Sequence, residues 1–138
     1  MLGIDIAKTK LGLQERDDNK ELKEFLRINA KQGDIAIDPA TTPWCACFVN
    51  ACEREVGNKG TGKPNARSFL DYGYVIPLAE IKYGDICIFP RNNSTWQGHV
   101  TYFEKWDNGM LICIGGNQAD EVNRQKYNPK TLLGIRRP

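Results

Sequence analysis

The chain has 138 residues, of which 41% are hydrophobic and 26% charged, with 19 basic against 17 acidic side chains and a formal net charge of +2. This balance is too apolar for a disordered chain, and the length suits one domain (1–138) with a substantial core. The near-neutral charge argues against a nucleic-acid binder, since no basic run exceeds Arg136-Arg137 and no stripe of aromatics interleaves with cations.

Residues 1–16 read as a short helix or strand followed by a polar turn. They lack the basic start and long apolar core of a signal peptide, and no stretch of the chain approaches the ~18 apolar residues of a membrane span. Synthesis in a cytoplasm without a leader, and no membrane insertion, are therefore expected. Asp18 to Ala30 is predicted as a helix, with Leu22, Phe25 and Leu26 inward, Lys20, Glu21, Lys23, Glu24 and Arg27 outward, and Gly33 as its stop. A Pro-containing loop over residues 34–42 follows.

Pro43, after Thr41-Thr42, signals the start of the next helix, which is predicted to stop near Gly57. Cys45, Phe48, Val49, Cys52 and Val56 recur at helical spacing and form one inward stripe. Cys45 thus lies in the first turn, where free backbone N–H groups and the helix dipole favour a thiolate. The competing reading is a buried, inert thiol, because free cysteine behaves as a small hydrophobe. The five cysteines are odd in number, and Cys45, Cys47 and Cys52 share a helix, so no complete disulfide framework is expected and the chain reads as reduced. Cys47, Cys52, Cys87 and Cys113 are expected to pack. No Cys-x2-Cys pair or calcium-type loop is present, so neither a metal nor any other cofactor is expected.

Residues 58–64 form a flexible turn, and Pro64 to Tyr72 is predicted as a third helix stopped by Gly73. The period then becomes extended. Asp85 to Phe89 is a short apolar strand, Gly98 to Trp106 alternates, Asp107-Asn108-Gly109 is a hairpin turn, and Met110 to Ile114 returns. Leu132 to Arg136 adds a last strand. Helices followed by antiparallel strands predict an α+β domain with the Cys45 helix packed on the sheet.

His99 is the only histidine, so acid–base work near neutral pH falls to it unless it is merely a hydrogen-bonded core residue. It shares a strand face with Thr101 and Phe103, while Val100, Tyr102 and Glu104 share the other. The returning strand ends in Gly115-Gly116-Asn117-Gln118, near the His99 end of its neighbour. Cys45 as nucleophile, His99 as base and then acid, and Asn117 as the group orienting the imidazole would divide the labour of a Cys-His-Asn triad. Asn117 can equally be a turn residue. Trp44 and Trp96 either line a cleft or anchor the core.

Trp44-Cys45-Ala46-x-Phe48-Val49-Asn50, Gly60-Thr61-Gly62, Ala66-Arg67-Ser68, Gly84-Asp85-Ile86, Gly98-His99-Val100 and Gly115-Gly116-Asn117-Gln118 together resemble the CHAP and NlpC/P60 superfamily of papain-like cysteine peptidases. The resemblance runs from about Leu22 to Pro138 and is nearest to small phage peptidoglycan hydrolases. Many CHAP members carry a carboxylate two residues before the asparagine of the third strand. Gly115 stands there, so the resemblance leaves the orienting role to Asn117. The Cys45 N–H, with Asp38, Thr41 or Thr42, is a candidate for oxyanion contacts.

The resemblance implies an endolysin-type enzyme that acts on bacterial peptidoglycan as a monomer, with Trp44, Trp96 and Gln118 touching substrate. It would cleave an amide bond, as an endopeptidase or an N-acetylmuramoyl-L-alanine amidase, after release to the wall through a holin-made lesion. An interbacterial amidase toxin with the same chemistry is an alternative. A non-catalytic wall-binding or virion domain is another.

Overall fold

The computed structural model describes residues 1–27, 38, 40 and 43–138. Among the described residues three α-helices precede the sheet: α1 (Gly3–Thr9), α2 (Asn19–Arg27) and α3 (Cys45–Glu55). Six strands follow: β1 (Tyr74–Val75), β2 (Ile86–Pro90), β3 (Gly98–Asp107), β4 (Met110–Gln118), β5 (Glu121–Tyr127) and β6 (Gly134–Arg137). They form one antiparallel sheet in the order β1-β6-β2-β3-β4-β5. The α+β arrangement expected from the sequence, with the Cys45 helix packed on an antiparallel sheet, is present.

Helix α2 buries Leu22, Phe25 and Leu26 and exposes Lys20, Glu21, Lys23 and Glu24, as its spacing requires. The predicted continuation to Ala30, its stop at Gly33 and most of the 34–42 loop lie outside the described residues. Helix α3 starts at Cys45 rather than at Pro43, with Trp44 as its N-cap, and runs to Glu55. The predicted third α-helix is instead a 3-10 helix over Ala66–Asp71. Its six residues are too few for a stable α-helix, and the tighter i→i+3 bonding suits a short connector.

The sheet is buried on both faces. Towards the helices, Ile86, Ile88, Val100, Tyr102, Ile114 and Val122 join Phe48, Val49, Cys52 and Phe25 in the main core. The Phe25 and Phe48 rings meet at 5.6 Å, and Phe48 meets Trp44 edge-on at 6.1 Å. Each such side chain, fully buried, contributes about 1.5–3 kcal/mol. On the far face Cys87, Phe89, Phe103, Leu111, Cys113 and Ile135 form a second cluster, against which Ile76, Ile81, Tyr127 and Leu132 pack.

The β3–β4 hairpin turns through Asn108 and Gly109, both at positive φ, with Asp107 paired to Met110. Strand β4 runs on through Gln118, well past the expected Ile114. Strand β5 was not expected, since Val122 is its only fully buried residue and the others are polar or half-exposed. Its register on β4 slips between Gly115↔Asn123 and Gln118↔Glu121, so two β4 residues face one on β5. That bulge decides which β4 side chain reaches the site.

Candidate active site

Cys45 sits at the first position of α3 with 4% of its surface exposed. Burial alone pushes its thiol up. The hydrogen bond and positive charge of His99, and the backbone N–H groups of Val100 and Ala46, outweigh burial and bring it below the ordinary thiol value. His99 shifts the opposite way. Burial holds its pKa down, but its hydrogen bond to Cys45, the thiolate charge and a hydrogen bond to Gln118 raise it, with Arg91 opposing. Each partner thus favours the charged form of the other, a thiolate–imidazolium pair.

The other thiols lack this environment. Burial, then the charge of Cys45, pushes Cys47 up to about 12. Burial, then the charge of Glu53, raises Cys52. Cys87 rises through its hydrogen bond to Cys113 and then through burial. Cys113 is buried in the far cluster. Cys45 combines a helix start, a histidine partner and a lowered pKa, the conditions that a nucleophilic thiol needs.

His99 Nε2 lies 3.0 Å from Oε1 of Gln118. The amide cannot be turned the other way, because its Nε2 donates to both the carbonyl oxygen and the Oδ1 of Asn123, at 2.8 and 3.0 Å. An acceptor oxygen facing the ring assigns the proton to His99 Nε2 and leaves Nδ1 for Cys45. Tyr127 closes the arrangement. Its hydroxyl donates to the same Oε1 at 2.9 Å, and its ring stacks on His99 with centroids 5.6 Å apart and on Phe89 at 4.5 Å. Asn123 in turn donates to Glu121 Oε1 at 3.1 Å.

Asn117 is not the residue that meets His99. It is the bulge residue, at φ +56, and makes no side-chain hydrogen bond among the described residues. The bulge advances the alternation by one residue and turns Gln118 into the site. Gly115 leaves the room for it: a Cβ there would lie 2.5 Å from Thr101 Oγ1 and 3.1 Å from Gln118 Oε1. Gln118 is 3% exposed, with its amide oxygen turned to the imidazole.

The family model for the CHAP domain matches residues 27–117, more than half of the chain. The chain belongs to the CHAP domain family. This is a family of cysteine peptidases and amidases, and the match ends one residue before Gln118. Among solved structures the CHAP domain is similar to the P60 domain of an antigen from M. avium subspecies paratuberculosis, with 18% identity and a TM-score of 0.49. That alignment covers 68% of this chain and 64% of the other. An NlpC/P60 family protein of Bacillus cereus aligns at 17% identity and a TM-score of 0.49, over 68% of this chain and 31% of its own. The chain thus spans less than two thirds of either. No curated protein matches it.

Trp44 does not line a rim in this CHAP domain. It is fully buried, donates from Nε1 to Glu15 Oε2 at 2.9 Å, and packs so close that a Cβ on Gly116 would lie 2.5 Å from its ring. Trp96 is 69% exposed on the turn before β3. Arg67 ties that turn down, donating from Nε to the Gln97 carbonyl at 2.7 Å and from a terminal nitrogen to the Ser94 carbonyl at 2.9 Å. Asp38 accepts hydrogen bonds from Asn19 and the Ala40 N–H, each at 2.9 Å, and these hold its carboxyl below the usual range. An ionised carboxylate offers no proton to an oxyanion, so it is not the second donor. Thr41 and Thr42 lie outside the described residues. Among the described residues no group of three His, Cys, Asp or Glu could hold a metal, and no helix is long and apolar enough to cross a membrane.

Tyr127 and Asn123 carry no site signal in the sequence, and Gln118, expected at the substrate, is the residue whose amide meets His99. The doubled glycine of Gly115-Gly116 before two amides was the available signal, since it marks a place where backbone or side chains approach closely.

Proposed function

We propose that this CHAP domain hydrolyses an amide bond in the peptide part of bacterial peptidoglycan, with Cys45 as nucleophile, His99 as acid–base and Gln118 orienting the imidazole. The observation that carries the reading is the mutual shift of Cys45 and His99 towards thiolate and imidazolium. The Cys45 thiolate attacks the scissile carbonyl, forming a carbon–sulfur bond. His99 then gives its Nδ1 proton to the departing amine, and the acyl-thioester remains. Water, deprotonated by the now neutral imidazole, attacks the thioester, releases the acid and restores the thiolate–imidazolium pair. The Nε2–H bond to Gln118 keeps Nδ1 turned to this path throughout.

The cell-wall substrate rests on the family and on the resemblance of the motifs. An endolysin-type role, lysis of a bacterial host after release to the wall, belongs to the same proposal. Digestion of purified peptidoglycan tests it: new amino groups and no new reducing ends are expected. Release of intact stem peptides free of sugar would mean amidase, and truncated stems still on sugar would mean endopeptidase. Cleavage between sugars takes a pair of carboxylates by the usual route. Appearance of reducing ends would therefore overturn the thiol-hydrolase reading.

A further inference from the structure

A pocket of about 400 Å³ opens beside His99, between the turn after β2 and the turn after β4, and is lined by Arg91, Asn117, Ala119, Gln125 and Tyr127 besides the His99–Gln118 pair. Its lining contains cationic and amide donors and no carboxylate. Arg91 is exposed and has neither an ion pair nor a side-chain hydrogen bond among the described residues. Arg67, Arg124, Arg136 and Arg137 each make at least two such bonds. The Asn117 and Gln125 amides are likewise unpartnered among the described residues.

The backbone that builds this wall is strained. Asn117, Ala119 and Asp120 all have positive φ, a cost that clusters at functional sites. Arg91 itself stands in a turn closed by the Ser94 N–H on its carbonyl at 3.2 Å, in the segment that Arg67 pins. A bare guanidinium next to a residue that must carry positive charge works against the imidazolium. An anion seated on Arg91 would cancel that opposition when substrate is bound.

We infer that this pocket is a subsite for a carboxylate on the amine-side half of the substrate, with Arg91 as its cation and the Asn117 and Gln125 amides as further donors. The amine side is assigned because the pocket borders His99, which protonates the leaving amine, and does not include Cys45. A planar guanidinium suits two-point recognition of a carboxylate. Free carboxylates are what the stem peptide of peptidoglycan offers along its length. The inference rests on the proposed hydrolase activity and specifies which peptide chemistry it selects.

The test uses disaccharide-linked stem peptides in two forms, one with all free carboxyl groups and a set in which each in turn is a carboxamide. Wild-type enzyme should cut one carboxamide form about 10- to 100-fold less efficiently, mainly through KM. Arg91→Gln should cut the all-carboxylate form as slowly as that, no longer distinguish the two, and keep the wild-type melting temperature. Arg91→Lys should recover part of the discrimination. Efficient cleavage without discrimination by wild type, or discrimination retained in Arg91→Gln, would overturn the subsite and leave the hydrolase standing. No cleavage of any form by wild type, with Cys45 still alkylated by iodoacetamide, would overturn the hydrolase reading and the subsite with it.

Discussion

His99 Nε2 meets Gln118 Oε1 at 3.0 Å, although the strand register Tyr102↔Ile114, continued without a break, would set Asn117 opposite the imidazole. The one-residue bulge between Gly115 and Gln118 makes the difference. It rotates the last turn of β4 so that the second amide, not the first, enters the site. Gln118→Ala should therefore slow turnover by about 10- to 100-fold, as loss of an orienting partner does. It should also lower the His99 pKa, since a raising hydrogen bond goes. Asn117→Ala should leave the pH profile of turnover where it is and act, if at all, on KM. A displaced profile for Asn117→Ala and a normal one for Gln118→Ala would reverse the assignment.

Cys45 and His99 should report on one another. The rate of Cys45 alkylation by iodoacetamide, followed against pH, should have its midpoint below the ordinary thiol value of 9.0. In His99→Ala the two largest lowering contacts vanish while burial and the Val100 and Ala46 N–H groups stay, so the midpoint should move up from its wild-type position. In Cys45→Ala the two contacts that raise His99 most are gone, and its pKa, read by NMR, should fall. Either variant should cost several orders of magnitude in turnover while keeping the fold. Activity should survive EDTA, and the first labelled peptide should contain Cys45, because the raised thiols Cys47, Cys52 and Cys87 react slowly. Rescue by zinc after chelation would instead point to metal chemistry.

Periodicity made much of this fold legible and little of the site's outer half. Leu22, Phe25 and Leu26 on α2, and Val100 and Tyr102 opposite Phe103 on β3, are written as simple spacings, and the core follows them. Helix α3 instead is buried around its whole circumference from Cys45 to Glu53, and Val56 of the expected stripe lies past its end, half-buried. Strand β5 has no such signature. Its residues alternate between half-buried and exposed polar groups, and Asn123 and Tyr127 matter through hydrogen bonds that only tertiary placement creates. The bulge is equally silent, since a strict two-residue alternation points Asn117 at His99. Trp44 shows a further limit. A tryptophan beside a nucleophile fits a rim or a core equally well, and the contacts to Glu15 and Phe48 choose the core.

The two tryptophans should separate cleanly by stability. Trp44→Ala empties a site that is fully buried and strands a buried carboxylate on Glu15. A loss of about 3–5 kcal/mol in unfolding free energy is expected, with activity falling in step with folded fraction. Trp96→Ala removes a ring that is 69% exposed and should change stability by no more than about 0.5 kcal/mol. Its effect, if Trp96 meets the wall polymer, is on KM. Urea unfolding of both variants measures this, and a Trp96→Ala protein as unstable as Trp44→Ala would remove Trp96 from consideration as a surface contact.

Tyr127 does two things to His99, and two substitutions pull them apart. Its hydroxyl shares Gln118 Oε1 with the imidazole, and its ring covers the imidazole from the far face of the sheet. Burial, then the nearby Cys113 and Cys45 charges, pushes its pKa up, so it remains a donor past the ordinary tyrosine range. Tyr127→Phe keeps the cover and removes one neutral hydrogen bond, for a loss of about 1 kcal/mol in stability. The His99 titration should hardly move, because Gln118 stays fixed by its two bonds to Asn123. Tyr127→Ala removes the cover as well. Water then reaches the ring, the burial that holds the imidazolium down is relieved, and the His99 pKa should rise above its wild-type value. Turnover should nonetheless fall, since the amide and the imidazole lose the wall that keeps them aligned. NMR titration of His99 in the two variants decides it: equal titrations would mean that the Tyr127 ring packs against His99 without setting its environment.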